Sequence, residues 1–114
     1  MSLAEKKCLA CSGDLPRLTD EEQKKLIKEL DDWKIDRDGH LNRVFKHEDF
    51  QAALTLANRV GEIAESEGHH PDLLVRWGEL GVTIWTHKVN GLTESDFILA
   101  AKIDELVKSP VKSK

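Results

Sequence analysis

The chain of 114 residues has no tyrosine, only two cysteines and three prolines, and no excess of positive charge. The absence of tyrosine removes one common general acid from any site that the chain forms. The net charge of −4 argues against nucleic acid as a partner, because phosphate neutralisation requires a basic surface. No apolar run approaches the roughly 20 residues that cross a bilayer, so we expect no membrane association.

The composition is that of one soluble domain with a heavily charged surface. Hydrophobic residues make up 39% of the chain and charged residues 33%, and the length is common for a single domain. Residues 1–7 lack the apolar segment of a secretory signal, so we expect a cytoplasmic protein. Composition and pattern predict an N-terminal arm over residues 1–18, a domain over 19–108 and a C-terminal tail over 109–114.

The two cysteines, Cys8 and Cys11, form a C-x-x-C motif in the arm. This spacing occurs in redox sites and in one half of a zinc site. A redox motif accompanies a βαβ pattern, which does not follow here, and a structural zinc site needs four ligands. We therefore favour an arm whose cysteines carry no chemistry, and a shared zinc site and redox work stay open as alternatives.

The hydrophobic pattern alternates between the helical and the extended repeat. Thr19 and Glu22 form a capping box that predicts a helix start, and Asp38-Gly39 predicts a hairpin turn. The predicted elements are, in order, a helix from Thr19 to about Leu30, strands that begin at Trp33 and Leu41, a helix over about 49–67, strands over about 73–77 and 80–87, and a helix over about 93–107. This α-β-β-α-β-β-α order predicts an α+β fold, with a four-stranded antiparallel sheet and three helices packed on one face.

Three of the five histidines lie within residues 69–87. His69 and His70 come directly before Pro71, at the predicted end of the long helix. Gly68 is suited to end that helix in the left-handed conformation, and Pro71 restricts His70 to extended backbone. His87 lies along the predicted fourth strand. Because histidine is the usual proton donor and acceptor near neutral pH, this grouping predicts proton-transfer chemistry or a metal site.

Several neighbouring residues have a structural explanation beside a functional one. Glu65 lies one helical turn before His69, so its carboxylate could orient that imidazole or simply face solvent. Asp96 fits the third position of the last helix, where acids favour the positive end of the helix dipole. The tryptophans are interpreted as core residues: Trp33, Trp77 and Trp85. Three histidines and a carboxylate could hold zinc, but adjacent imidazoles on an extended segment diverge, which favours acid/base chemistry.

With these residues in view, the chain resembles the pterin-4a-carbinolamine dehydratase family, whose members are also known as dimerisation cofactors of a homeodomain transcription factor. The resemblance rests on E-S-E-G-H-H-P-D over residues 65–72, T-H over 86–87 and G-L-T-E-S-D over 91–96. Upstream, Trp33 and F-K-H-E-D-F over 45–50 match the family's order, so roughly residues 19–107 are covered. Gly68 is a departure, since vertebrate members carry Asp there. The arm with its C-x-x-C resembles a bacterial-type extension.

The resemblance implies loss of water from 4a-hydroxytetrahydropterin to give quinonoid dihydropterin, which recycles the cofactor of aromatic amino-acid hydroxylases. It implies neither a metal nor an organic cofactor, and it implies a homodimer or homotetramer. The implied site residues are His69, His70 and His87 as acid and base groups, Glu65 and Asp96 as supporting groups, and Pro71, Trp85, Thr86 and Lys88 as the lining of the substrate pocket. His70 and His87 are expected nearest the 4a-hydroxyl and His69 nearest N5 of the pterin.

Two functions of other kinds stay open. One is a non-catalytic module that binds a pterin or a protein, as the coactivator role of the family permits. The other is a relative that acts in molybdopterin metabolism. The intact histidine trio favours the enzyme. His40, predicted in a turn, and His47, predicted before the second helix, are expected to be dispensable for it.

Overall fold

The computed structural model describes residues 16–108, so Cys8, Cys11 and the C-terminal tail lie outside the described residues. The elements are, in chain order, α1 (Asp20–Ile27), β1 (Lys34–Ile35), β2 (Leu41–Lys46), α2 (Phe50–Glu67), β3 (Asp72–Arg76), β4 (Glu79–Ile84), a 3-10 turn (His87–Val89) and α3 (Glu94–Lys108). Three helices and four antiparallel strands confirm the predicted α+β fold and the predicted order. Among these residues, no helix has both the length and the apolar character needed to cross a bilayer.

The four strands form one antiparallel sheet in the order β1-β2-β4-β3. β2 and β4 are paired along their full length, from Leu41 opposite Ile84 to Lys46 opposite Glu79. Alternate β4 side chains are buried in the core: Leu80, Val82 and Ile84. α2 contacts β3 and β4, and α3 contacts α2 and β2. The core therefore lies between the sheet and these two helices, as the period-two pattern of the strands predicts.

Side-chain caps fix where the helices begin. Thr19 and Glu22 close the predicted capping box of α1. Asp49 Oδ1 accepts a hydrogen bond from the backbone N of Ala52 at 2.8 Å and starts α2. α1 ends at Ile27, short of the predicted Leu30, because tighter turns such as Leu30 N to Ile27 O at 3.1 Å replace its last helical turn.

The β1–β2 hairpin turn is held by its own hydrogen bonds. Asp36 N donates to His40 O at 2.9 Å, and Gly39 N donates to Asp36 O at 2.9 Å. Asp36 Oδ1 also accepts from the backbone N of Asp38 and of His40, each at 3.0 Å. Gly39 has a φ of 81°, in the left-handed region that glycine adopts without strain. The hairpin predicted from Asp38-Gly39 is confirmed, and it delivers His40 to the start of β2.

Two sequence predictions about side-chain position are wrong. Trp77 is 73% exposed, because it occupies the tip of the β3–β4 hairpin beside Gly78 and not the core. His87 is not on a strand, because β4 ends at Ile84. Beyond that point Thr86 N donates to Gly91 O at 2.8 Å and Gly91 N donates to Thr86 O at 3.3 Å, which closes a loop that holds His87 in the 3-10 turn.

Candidate active site

The end of α2 sends His69 and His70 in different directions. Gly68 caps the helix in the left-handed region with a φ of 68°, and His69 N donates to Ala64 O at 3.1 Å. This six-to-one hydrogen bond is that of a Schellman cap, which turns the chain back under the helix. His69 is consequently buried, whereas His70 is exposed. The predicted divergence of the two imidazoles is confirmed.

His69 is held by a buried carboxylate from the other end of the fold. His69 Nε2 lies 2.5 Å from Asp96 Oδ1, and the two side chains are 7% and 0% exposed. A carboxylate accepts and does not donate, so we assign the proton of this contact to Nε2. The pair therefore fixes both the orientation and the tautomer of the His69 ring.

Asp96 also organises the loop that follows β4. Its Oδ2 accepts from Thr93 N at 2.7 Å and from Thr86 Oγ1 at 2.8 Å. Thr86 Oγ1 lies 3.0 Å from Thr93 Oγ1, and both threonines are buried. The predicted position of Asp96 in the first turn of α3 is confirmed, and the same carboxylate links that helix to His69 and to the loop before His87.

Glu65 pairs with His70 and not with His69, contrary to the spacing argument. His70 Nε2 lies 2.9 Å from Glu65 Oε1, with the side chains 63% and 80% exposed. The helical spacing failed as a guide because the Schellman cap turns His69 away from the outer face of α2. Glu65 is thus placed to orient the ring of His70, through a solvent-exposed contact of the kind that contributes little to stability.

The imidazole of His87 is in stacking contact with Trp85. The rings of Trp85 and His87 are stacked with centroids 4.3 Å apart and an interplanar angle of 13°. The rings of His40 and Trp85 are stacked with centroids 4.0 Å apart at 6°. The two imidazoles cover opposite faces of the indole, because two rings this close on one face would overlap. These two rings therefore leave only the edge of the Trp85 indole uncovered, and His40, for which the sequence predicts no role, is part of the stack.

These groups meet in a cleft of about 260 Å³ between the end of α2 and the loop after β4. Its lining consists of Gly68, His69, His70, Trp85, Thr86, His87 and Lys88. The structure thus brings together all three predicted catalytic histidines and three of the four predicted pocket residues. Pro71 follows His70 directly and is not part of this lining. Asp96 is also outside the lining and contacts His69 from the protein interior. Thr93, whose backbone N donates to Asp96, is not identified by the sequence as part of the site, because a contact with a buried carboxylate leaves no periodic signal in the sequence.

One group within residues 16–108 has the donor atoms for a cation. Oxygen and nitrogen atoms of Asp36, Asp38 and His40 lie within 4.8 Å of one another in the β1–β2 turn. The Asp36 carboxylate already accepts two backbone hydrogen bonds there, and His40 is stacked on Trp85. The group is therefore accounted for as the internal structure of the turn.

Comparison with known proteins shows the family of the chain. A family model described as Pterin 4 alpha carbinolamine dehydratase matches residues 16–106. The chain belongs to this family. The match includes the histidine cleft, Asp96 and the whole of the sheet, so the resemblance inferred from the sequence motifs is confirmed.

Individual relatives extend over nearly the whole chain. A protein of Alkaliphilus metalliredigens with the provisional name pterin-4-alpha-carbinolamine dehydratase is 50% identical over 105 residues, which cover 91% of this chain and 95% of that protein. A protein of Rickettsia bellii with the same provisional name is 51% identical over 106 residues, or 92% of this chain and 94% of that protein. The crystal structure of a transcriptional coactivator/pterin dehydratase from Brucella melitensis superimposes with a TM-score of 0.74 at 33% identity, over 80% of this chain and 98% of that one.

Proposed function

We propose that this protein removes water from 4a-hydroxytetrahydropterin to give quinonoid dihydropterin, by histidine acid/base catalysis. The observation that carries the proposal is the meeting of His69, His70 and His87 in one cleft, with His69 held by a buried carboxylate. The reaction recycles the tetrahydropterin cofactor of aromatic amino-acid hydroxylases. Membership of the dehydratase family supports the substrate class.

The reaction requires two proton transfers on a small bicyclic ring. The C4a–O bond breaks once the hydroxyl accepts a proton and leaves as water. The lone pair of N5 forms the C4a–N5 double bond, and N5 then loses its proton. One acid and one base complete this sequence, and imidazoles perform both roles near neutral pH.

His69 is suited to the role of base at N5. Its Nε2 hydrogen is directed at Asp96, so the neutral ring carries its lone pair on Nδ1. The buried carboxylate also stabilises the imidazolium that forms when Nδ1 takes a proton. This pairing of an imidazole with a carboxylate is the same orienting device that other acid/base sites use.

His70 and His87 are suited to deliver a proton to the 4a-hydroxyl. Both are exposed on the rim of the cleft, where bulk water can replace the proton after each turnover. Glu65 orients the ring of His70 by its 2.9 Å contact, and Trp85 orients the ring of His87 by stacking. The acid therefore comes from the rim of the cleft and the base from its buried end.

The size of the cleft fits a single bicyclic ring. Its volume of about 260 Å³ lies just under the range of about 300–1,000 Å³ typical of sites for larger ligands. Thr86 and Lys88 add polar groups to the lining. The edge of the Trp85 indole completes the apolar wall, since both of its faces are covered.

We propose in addition that the protein self-associates through the edge of its sheet. β3 is an edge strand of the sheet, and Leu74 on it is 57% exposed. Unpaired edges with exposed apolar residues are sites where sheets add further strands. A homodimer or homotetramer covers this edge.

The direct test is a stopped-flow assay on purified protein after treatment with a chelator. Freshly prepared 4a-hydroxytetrahydropterin loses water spontaneously, so the rate is measured against a protein-free sample. We expect a saturable acceleration that EDTA does not change, because the two proton transfers use protein groups alone. Binding of a stable pterin analogue without acceleration would favour the binding-module alternative instead.

A further inference from the structure

The pairing of β2 with β4 brings His40 against Trp85, a residue of the cleft lining. The register sets Leu41 opposite Ile84, and its continuation by one residue sets His40 opposite Trp85. Directly opposed side chains in an antiparallel pair lie on the same face and interact. His87 is two residues beyond Trp85, in the 3-10 turn after β4, and its ring stacks on the other face of the indole. The pairing of β2 with β4 and the turn after β4 together form the His40–Trp85–His87 stack.

The turn before β2 gives His40 a fixed position. His40 O accepts from Asp36 N at 2.9 Å, and His40 N donates to Asp36 Oδ1 at 3.0 Å. Both backbone polar groups of His40 are thus bound to one residue across the turn. Next to this pair, Asn42 Nδ2 donates to Thr83 Oγ1 at 2.8 Å and ties the same ends of β2 and β4 together. The imidazole of His40 is therefore attached to a backbone segment that is held by these hydrogen bonds.

His87 lacks such anchoring. It lies in a three-residue 3-10 turn outside the sheet and is exposed. Within residues 16–108 its imidazole makes no hydrogen bond, so the stack on Trp85 is the contact that orients the ring. Trp85 can hold His87 in place only if the indole itself is fixed. Trp85 packs partly against the hydrophobic core, and the face of the indole opposite His87 is covered by His40.

We propose that His40 is a positioning residue for dehydration, which acts through Trp85 to hold the His87 imidazole at the cleft. The proposal rests on the proposed function, because it assigns His87 a proton-transfer role there. His40 itself is not part of the cleft lining, so its effect on the chemistry passes through Trp85. A catalytic group must be held close to its productive geometry. Without His40 the Trp85–His87 stack is looser, so the rate of the chemical step falls more than the affinity for substrate.

The first test measures the position of the His87 ring by NMR and does not depend on enzyme activity. A carbon–proton spectrum of the histidine rings reports the position of His87, because a ring proton stacked over an indole is displaced by the ring current. Trp85→Leu defines the His87 resonance in the absence of the stack. We expect His40→Ala to move the His87 resonance toward that of Trp85→Leu, with the backbone amide spectrum otherwise retained. An unmoved His87 resonance in His40→Ala overturns the proposal.

The second test compares kcat and KM of a His40 variant that lacks the ring, a His40 variant that keeps a ring, and a control variant of the same turn. The strength of one stacked ring pair sets the expected loss of kcat in His40→Ala at about 3- to 10-fold, with KM changed by less than about twofold. His40→Phe keeps a flat ring on Trp85 and is expected to restore kcat to within about twofold of wild type. Arg37→Ala changes an exposed side chain of the same turn and is expected to behave as wild type.

The outcomes separate this proposal from the proposed function. A loss of kcat in His40→Ala that His40→Phe does not restore contradicts a positioning role through stacking. A moved His87 resonance with wild-type kcat limits the stack to packing and also contradicts it. If wild-type protein does not accelerate dehydration at all, the proposed function fails, and the assignment of His40 to catalysis fails with it, while the His87 resonance still reports on the stack.

Discussion

His69 Nε2 lies 2.5 Å from Asp96 Oδ1, across 27 positions of sequence and inside the protein. The contact joins the capped end of α2 to the first turn of α3. Asp96 also accepts from Thr93 N and Thr86 Oγ1, so one carboxylate serves helix capping, loop closure and the orientation of an imidazole. The position in the first turn of α3 and the contact with an imidazole, which are competing explanations of Asp96 when only the sequence is known, occur together in the structure.

Asp96→Asn tests this double use. If the amide oxygen keeps Thr93 N and Thr86 Oγ1, the amide NH₂ faces His69 Nε2 and forces the other tautomer, with the proton on Nδ1. His69 then cannot act as base, so we expect kcat to fall by about 10²–10⁴-fold in stopped-flow measurements. Asp49→Asn alters the cap of α2 away from the cleft and is the matched control, with wild-type kcat expected. Wild-type kcat in folded Asp96→Asn would remove Asp96 from the mechanism.

Asp104 on α3 holds a second polar cluster, outside the cleft. Its Oδ1 accepts from Trp33 Nε1 at 2.7 Å and from Arg43 Nη1 at 2.7 Å, and its Oδ2 accepts from Asp31 N at 3.0 Å. Asp104→Ala leaves a buried indole N–H and a guanidinium without their acceptor, so we expect a loss of about 3 kcal/mol in the free energy of unfolding. Urea unfolding measures it, and Glu105→Ala, an exposed neighbour, is expected to change the free energy by less than about 0.5 kcal/mol.

The same carboxyl gives a pH dependence with a definite sign. Burial raises the pKa of Asp104 above its ordinary value, and the hydrogen bonds from Asp31 and Trp33 and the charge of Arg43 offset part of that rise. The folded protein therefore holds this proton more tightly than the unfolded chain. Relative to Asp104→Asn, the wild-type free energy of unfolding is highest below the ordinary pKa of about 3.9 and falls as the pH rises through the raised value. A rise over that interval would contradict the effect of burial.

Much of the fold is predictable from local sequence signals. The capping box at Thr19 and the glycine at 68 act over a few residues, so their outcome does not depend on distant partners, and the alternation along β4 marks its buried face. Trp77 misled because alternation along β3 was extended by one residue into the tip of the hairpin, where Gly78 turns the chain. Alternation marks a face of a strand and does not mark where the strand ends.

The site is harder to read from the sequence, because its contacts cross the fold. The motif blocks identified the three histidines, but the pairing of His69 with Asp96 depends on the reversal after Gly68. The contact between His40 and Trp85 depends on the β2–β4 register, which one sequence does not specify. Once that register is known, the contact between His40 and Trp85 follows from it, whereas the position of His87 depends on the Thr86–Gly91 bridge that closes the next loop.

Self-association through the edge of the sheet is tested by light scattering. We expect wild-type protein at micromolar concentration to be a dimer or tetramer, and Leu74→Lys on β3 to shift it toward the monomer, because a charge on an edge strand opposes pairing. Asn58→Lys places the same charge on the exposed face of α2 and is expected to keep the wild-type mass. A monomeric wild-type protein would contradict the assembly.

Histidine acid/base catalysis is tested most directly by the dehydration rate of the single histidine variants, with the spontaneous rate subtracted. His70 and His87 line the cleft, whereas His47 lies before α2 and outside it. We predict that His70→Ala and His87→Ala each lower kcat by about 10²–10⁴-fold while the fold and the binding of a stable pterin analogue persist, and that His47→Ala keeps wild-type kcat. Wild-type rates in both His70→Ala and His87→Ala would contradict histidine acid/base catalysis at this cleft.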